Sequence, residues 1–265
     1  MPYHWPAMTS SATVFNTLPR SVAAAVWRAD QLGTVAHATL SSGFDVLDAA
    51  LPGGGWPCRG LTELLCSQAG VLEWRLLGPA LRAQQAGPQG PLVLVAPPWV
   101  PHVPGLRSLG IDERRLVWID ARSSAERVWV VEQLLRAHPV GSVLAWLPDV
   151  RAVQLRKLQV LAGQAGVEHG PVFVFRDGPA ALDASPVPLR VRVRPGPGLM
   201  LQVELLKRPG APLDRVLTLM AEPPGLAGWL PSPRSASSVI LPETADVVGR
   251  SAVIRSRTVQ RPVAH

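Results

Sequence analysis

Within this chain of 265 residues, the segment whose residue types and order come nearest to a chemical motif is ELLCSQAGVLEW, Glu63 to Trp74. A hydrophobic strand candidate runs through a glycine into a helix candidate, the arrangement in which a phosphate group is commonly cradled. That chemistry needs backbone N–H groups freed by glycines, a lysine for the β and γ phosphates and a Ser or Thr hydroxyl for Mg²⁺. Gly70 marks a loop here, but the lysine and the metal-binding hydroxyl are missing. Cys58 and Cys66 have no second pair and no histidine at ligand spacing, so each is expected to be a buried structural thiol and not part of a disulfide framework or a zinc site. The six histidines are scattered, with no His-x-x-x-His and no Gly-x-Ser-x-Gly, so neither a metal centre nor a hydrolase constellation is expected.

The elements that must position this loop follow from apolar periodicity. Ser21 to Leu32 places Val22, Ala25, Val26, Ala29 and Leu32 at helical spacing, and Phe44, Leu47 and Leu51 share a helical face before the PGGG break. Leu61 to Leu65, Pro91 to Ala96, Val117 to Asp120, Gly141 to Leu147 and Pro171 to Phe175 read as strands. Ala125 to His138 and Arg151 to Ala165 read as the helices between them. Strand and helix alternate, which predicts an α/β fold: a mostly parallel sheet with helices on both faces. From Leu189 the pattern changes to strands without helices, RVRVRP and LMLQVELLKRP, which predicts an antiparallel extension at the sheet edge.

Composition sets further bounds. Hydrophobic residues make up 47% of the chain, enough for a buried core, and the apolar run Val191 to Leu206 is broken by Arg192, Arg194 and Pro195, so no membrane span is expected. The first fifteen residues lack a cationic start followed by an apolar core, and a cytoplasmic protein is the resulting expectation. The net charge is +7 and the pI 10.8. Only two of 26 basic residues are lysines, a bias of arginine-rich coding that weakens the pI as a sign of nucleic-acid binding. Three regions result: an N-terminal segment, 1–39, with a short helix; a core, 40–230; and an Arg-rich flexible tail, 231–265.

At Leu40 to Leu64 the chain resembles the RecA family: LSSGFDVLDAALPGGGWPCRGLTEL carries a Ser-x-Gly-x-x-x-Leu-Asp segment, a Gly-rich turn, an Arg-Gly and then a strand with Glu63. In the register this resemblance implies, Cys66 and Gly70 belong to the phosphate loop, Leu72 stands where the family has its lysine and Glu73 where it has the magnesium-binding threonine. Pro98, with Pro97, falls where the water-activating glutamate lies, and Trp146 where a Walker B aspartate closes the strand. All four chemical positions are lost, so ATP hydrolysis by the usual route is not expected. The segments PDVRAV and RDGPAALDASPVP replace the family's two DNA-binding loops, so strand exchange is not expected either.

The order and spacing of VWRADQLG, GVLEWRLLGPAL, VAPPWVPHVPGLRSLGID, LRKLQVLA and LLKRPGAPL are similar to the ImuA family, RecA-like accessory proteins of translesion DNA synthesis. The resemblance implies a non-catalytic scaffold in an SOS-induced mutagenic complex, without a cofactor. Its implied partners are an ImuB-like Y-family polymerase homologue and an error-prone C-family polymerase, with contact to RecA and weak DNA binding left open. Two other readings stay open: a residual nucleotide-binding ATPase using a loop around Gly70 with Lys207 as its cation, and a SulA-like inhibitor of cell division.

Candidate contact residues follow. Arg151, Arg156 and Lys157 form a basic helix face, either solvated or meeting DNA phosphate or an acidic partner, with Val153, Leu155, Leu158 and Leu161 as the apolar positions. Lys207 and Arg208 lie at the end of an edge strand, where they contact a partner or guard against aggregation. Arg250, Arg255, Arg257 and Arg261 make the tail a solubiliser or a docking segment. Trp74, Trp118, Trp129 and Trp146 are expected in the core. Trp56 and Trp99 lie in loops at the C-terminal edge of the sheet, where a filled-in nucleotide pocket or a protein-binding patch would explain them and a structural role is the alternative.

Overall fold

The computed structural model describes residues 38–87, 90–137, 140–164 and 169–222. The helix read over Ser21 to Leu32 and the tail arginines Arg250, Arg255, Arg257 and Arg261 lie outside the described residues. The elements are β1 (Thr39–Leu40), α1 (Asp45–Asp48), β2 (Trp56–Pro57), β3 (Leu61–Cys66), α2 (Leu72–Gln85), β4 (Leu92–Val95), α3 (Val103–Ser108), β5 (Leu116–Ile119), α4 (Ser124–Arg136), β6 (Val143–Trp146), α5 (Ala152–Gln164), β7 (Val172–Asp177), β8 (Leu189–Pro195), β9 (Met200–Lys207) and β10 (Val216–Met220). Short 3₁₀ turns occupy Glu113–Arg115 and Gly178–Leu182.

Eight strands form one sheet in the order β10-β9-β8-β3-β7-β6-β4-β5. The six from β8 to β5 are parallel, and β9 and β10 add antiparallel to β8. This is the expected α/β sheet with an antiparallel extension. The central strands are apolar on both faces because helices cover both. Leu92, Leu94, Leu144, Trp146, Phe173 and Phe175 join one core with α1, α2 and α3. Their alternating neighbours Val93, Val95, Val143, Ala145, Val172 and Val174 join another with α4 and α5. The long and aromatic side chains thus go to one face and the β-branched and small ones to the other.

The segment leading into β3 folds for local reasons. The Asp48 carboxylate accepts from Ser41 Oγ at 2.6 Å and from the Ser42 N–H at 2.8 Å, which closes the turn that starts α1. Gly43, at φ +81°, passes so near helix α2 that a Cβ there would lie 2.5 Å from Pro79 Cβ. The Ser-x-Gly-x-x-x-Leu-Asp spacing therefore has a structural reason independent of any ligand.

One face of β3 carries charge. Glu63, fully buried, receives Arg176 of β7 at 2.9 Å and Arg190 of β8 at 2.7 Å. Arg176 also reaches Asp183 at 2.8 Å, and Arg190 donates to the carbonyls of Ala180 and Asp183. Removing the carboxylate would leave Arg176 with Asp183 alone and Arg190 with two carbonyls and no counter-charge bonded to it, a loss of about 3–5 kcal/mol for a broken buried ion pair. Glu63→Ala is expected to lower the unfolding free energy by that amount, read in urea as a lower midpoint with the m-value unchanged. A loss below about 1 kcal/mol would show that the cluster is not holding the strands.

Candidate functional site: a self-occupied loop

Strand β3 ends at Cys66 and the chain turns through Gly70, at φ +89°, into α2. A helix start of this kind offers backbone N–H groups and a positive dipole end to an anion. The anion is already part of the chain. Glu73, in the first turn of α2, is fully buried, and its Oε1 accepts the Gly70 N–H at 2.5 Å. The same oxygen accepts the indole N–H of Trp146 at 2.9 Å. Trp146 is the last residue of β6, and its ring stacks on Phe175 with centroids 4.6 Å apart. Two positions read as losses in the sequence, Glu73 and Trp146, therefore bond to each other.

Glu73 Oε2 is buried with no hydrogen-bond partner among the described residues. What the carboxylate still lacks is a donor, so a phosphate brought here would meet charge of its own sign. At about 4 Å and an effective dielectric near 20 that repulsion is about 4 kcal/mol. Leu72 does not point a substitute for lysine outward; it is buried in the core of the α2 face. Pro98 and Trp99 close over the loop: a Cβ on Gly70 would lie 2.6 Å from Trp99 Cδ1 and 3.6 Å from Pro98 Cγ. Cys66 is buried as expected. Burial, and secondarily the Glu73 charge, hold its thiol well above the ordinary cysteine range. Cys58 is only half-buried, which corrects the expectation, and burial pushes its thiol up to about 11.

The basic candidates do not converge on this loop. Lys207 pairs in register with Arg190, which is level with Glu63, so it stands two strands from β3 and short of the end that carries Gly70. It donates to the Ser185 carbonyl at 2.9 Å and cannot serve as the loop's cation. Arg208 donates to the Ala211 and Ala50 carbonyls. Strand β9 is not an edge: β10 pairs along its outer side. Arg151, Arg156 and Lys157 are all exposed on or beside α5, and Lys157 pairs with Glu132 of α4 at 2.8 Å. Val153, expected on the apolar face with Leu155 and Leu158, is instead 81% exposed, because the inward stripe begins at Leu155.

The tryptophans sort differently from the expectation. Trp56 is fully buried and meets the Phe173 ring edge-on at 5.4 Å, so it is core. Trp118 on the edge strand β5 and Trp129 on the outer face of α4 are 46% and 60% exposed, Trp74 is half-buried, and Trp146 is core. Helix α3 and the Glu63–Arg176–Arg190 cluster were not foreseen. The alternation RVRVR inside a buried strand was the available signal, since inward arginines demand a buried carboxylate.

Compared with known proteins, the chain is 29% identical over 170 residues to Protein ImuA from two strains of Caulobacter vibrioides, covering 60% of this chain and 69% of each relative. It is similar to Protein ImuA at a distance. No family model matches it. Among the described residues no helix is long and apolar enough to cross a membrane.

Two outcomes follow from this geometry. Trp146→Phe and Glu73→Leu are each expected to cost about 1–3 kcal/mol, and the double variant about 1 kcal/mol less than their sum, because the surviving partner of a broken buried bond is what costs. Additive losses in urea unfolding would show that the bond is not made. At pH 8 iodoacetamide is expected to alkylate Cys58 slowly and Cys66 more slowly still, both accelerating in urea. Rapid labelling of native Cys66 would contradict its burial.

Proposed function

We propose that this chain is a non-catalytic accessory protein of DNA-damage tolerance, of the ImuA type, that acts by holding partners together and not by turning over nucleotide. The observation that carries this reading is the Glu73 carboxylate, which takes up the Gly70 N–H and the Trp146 indole where a phosphate would need those donors. The buried Leu72 removes the remaining cation of the loop. The distant similarity to Protein ImuA, together with the order of motifs shared with that family, supports a place in SOS-linked translesion synthesis.

In this reading the partners are an ImuB-like Y-family polymerase homologue and an error-prone C-family polymerase, with RecA as a further contact. The exposed basic residues of α5 are the natural place for a weak DNA or acidic-protein contact. A residual ATPase built on Gly70 and Lys207 has lost its support, since those residues stand at different levels of the sheet. Calorimetric titration of the purified chain with ATP at millimolar Mg²⁺ is expected to give no saturable heat, and saturable binding would overturn the scaffold reading. Co-expression with the products of its own operon is expected to co-purify the ImuB-like protein. Absence of that protein from the purified complex, or filamentation on expression without DNA damage, would point away from the proposal.

A further inference from the structure

Beside the closed loop, the C-terminal edge of the sheet holds a groove of about 480 Å³. Trp74, Trp99, Val100 and Leu106 line it, and Arg75 and His102 are the ionisable side chains in its walls, with no Asp or Glu among them. Trp99 is 73% exposed and Val100 71%. With Val71, which is also exposed, they cluster in one groove, and clustered exposed apolar side chains mark interaction sites where single ones do not.

The groove is also preformed. Pro97, Pro98 and Pro101 fix φ along the loop, and Ala96 leaves β4 at φ +49°, a left-handed conformation that an alanine holds only under constraint from its surroundings. Trp99 rests against Gly70, where no side chain would fit. Arg75 is fixed by donating to the carbonyls of Ala221 and Leu199. The Nδ1 of His102 accepts the Gly105 N–H at 3.2 Å, which leaves Nε2 as the ring's donor.

We propose that this groove docks a peptide segment of a partner protein, one that presents a bulky apolar or aromatic side chain next to a carboxylate. The inference rests on the accessory-protein reading and names the surface through which it works. The aromatic and aliphatic walls take the apolar side chain, and a rigid tryptophan in a concave site is the usual anchor of a protein interface. A guanidinium and an imidazole N–H are the ionisable groups of the lining and complement the carboxylate, while Glu73 lies outside the lining, buried and bonded to the Gly70 N–H and the Trp146 indole. Single-stranded nucleic acid fits less well. It needs a continuous cationic track beside its stacking rings, and the lining here holds one guanidinium and one imidazole.

The test uses the full-length chain, immobilised and screened against a displayed library of random linear peptides. Binders are expected to converge on a large apolar or aromatic residue flanked by Asp or Glu. Measured as synthetic peptides, they should weaken about tenfold or more with Trp99→Ala. Val100→Asp, which sets a like charge at the rim, should weaken them as well, and Val100→Lys should not. Both positions are exposed, so the variants should keep the parent's circular dichroism and urea midpoint.

Failure to converge, a basic consensus, or binders indifferent to both Trp99→Ala and Val100→Asp would overturn the proposal. So would an oligothymidine whose binding requires Trp99, or a self-association that Trp99→Ala abolishes. Co-purification with the ImuB-like protein separates the two readings. If wild type and Trp99→Ala both retain it and the selected peptides are indifferent to Trp99, the groove proposal fails and the scaffold stands. If neither retains it while peptides still select, the scaffold reading fails and the groove stands.

Discussion

Strand β3 joins two differently built halves of the sheet, a parallel set on one side and, through β8, an antiparallel pair on the other. The Glu63 carboxylate straddles that seam, bonded to Arg176 on β7 and Arg190 on β8. Three buried charges in the middle of a sheet are tolerable only while each has its partners, so the positions of β7, β3 and β8 are coupled electrostatically as well as through their backbone ladder. The two arginines also tie down the turn at Gly178–Leu182 by way of Ala180 and Asp183. With the seam fixed, the ends of β3, β6 and β7 stand in register, and that register sets Cys66, Trp146 and Phe175 around the loop at Gly70.

At that end the donors of the helix start are satisfied from within the chain. Backbone N–H groups at a helix start and the dipole behind them favour an anion whether or not a ligand arrives. Glu73 supplies one permanently, and Trp146 supplies the donor that makes its burial tolerable. The consequence is order: Gly70, Glu73 and Trp146 are bonded into one arrangement, with Trp99 against Gly70.

The parallel strands were legible because LVLV, VLAW and VFVF are apolar on both faces and separated by helices of ordinary length. The antiparallel extension was legible from the loss of helical periodicity after Leu189. Short α3 was not, since VPGLRS carries no full apolar turn and has in its first turn a Pro-Gly pair common to loops. Exposure of Trp118, Trp129 and Val153 was misjudged for one reason. Local periodicity says which residues share a face, and not whether another element covers that face.

By itself the sequence determined the α/β class, the position of the loop at Gly70, a leucine and a glutamate at the start of the helix that follows it, and the apolar strands that set the sheet. These depend on residue type and on spacing within a single element, which the chain carries locally. Only the tertiary structure decided that Glu73 and Trp146 meet, that Glu63 is clasped by Arg176 and Arg190, that Lys207 is remote from the loop, and that Trp56 is buried while Trp99 is not. Each of those facts depends on strand order, and strand order is fixed by how whole faces are buried against one another, a property no single stretch of the chain possesses.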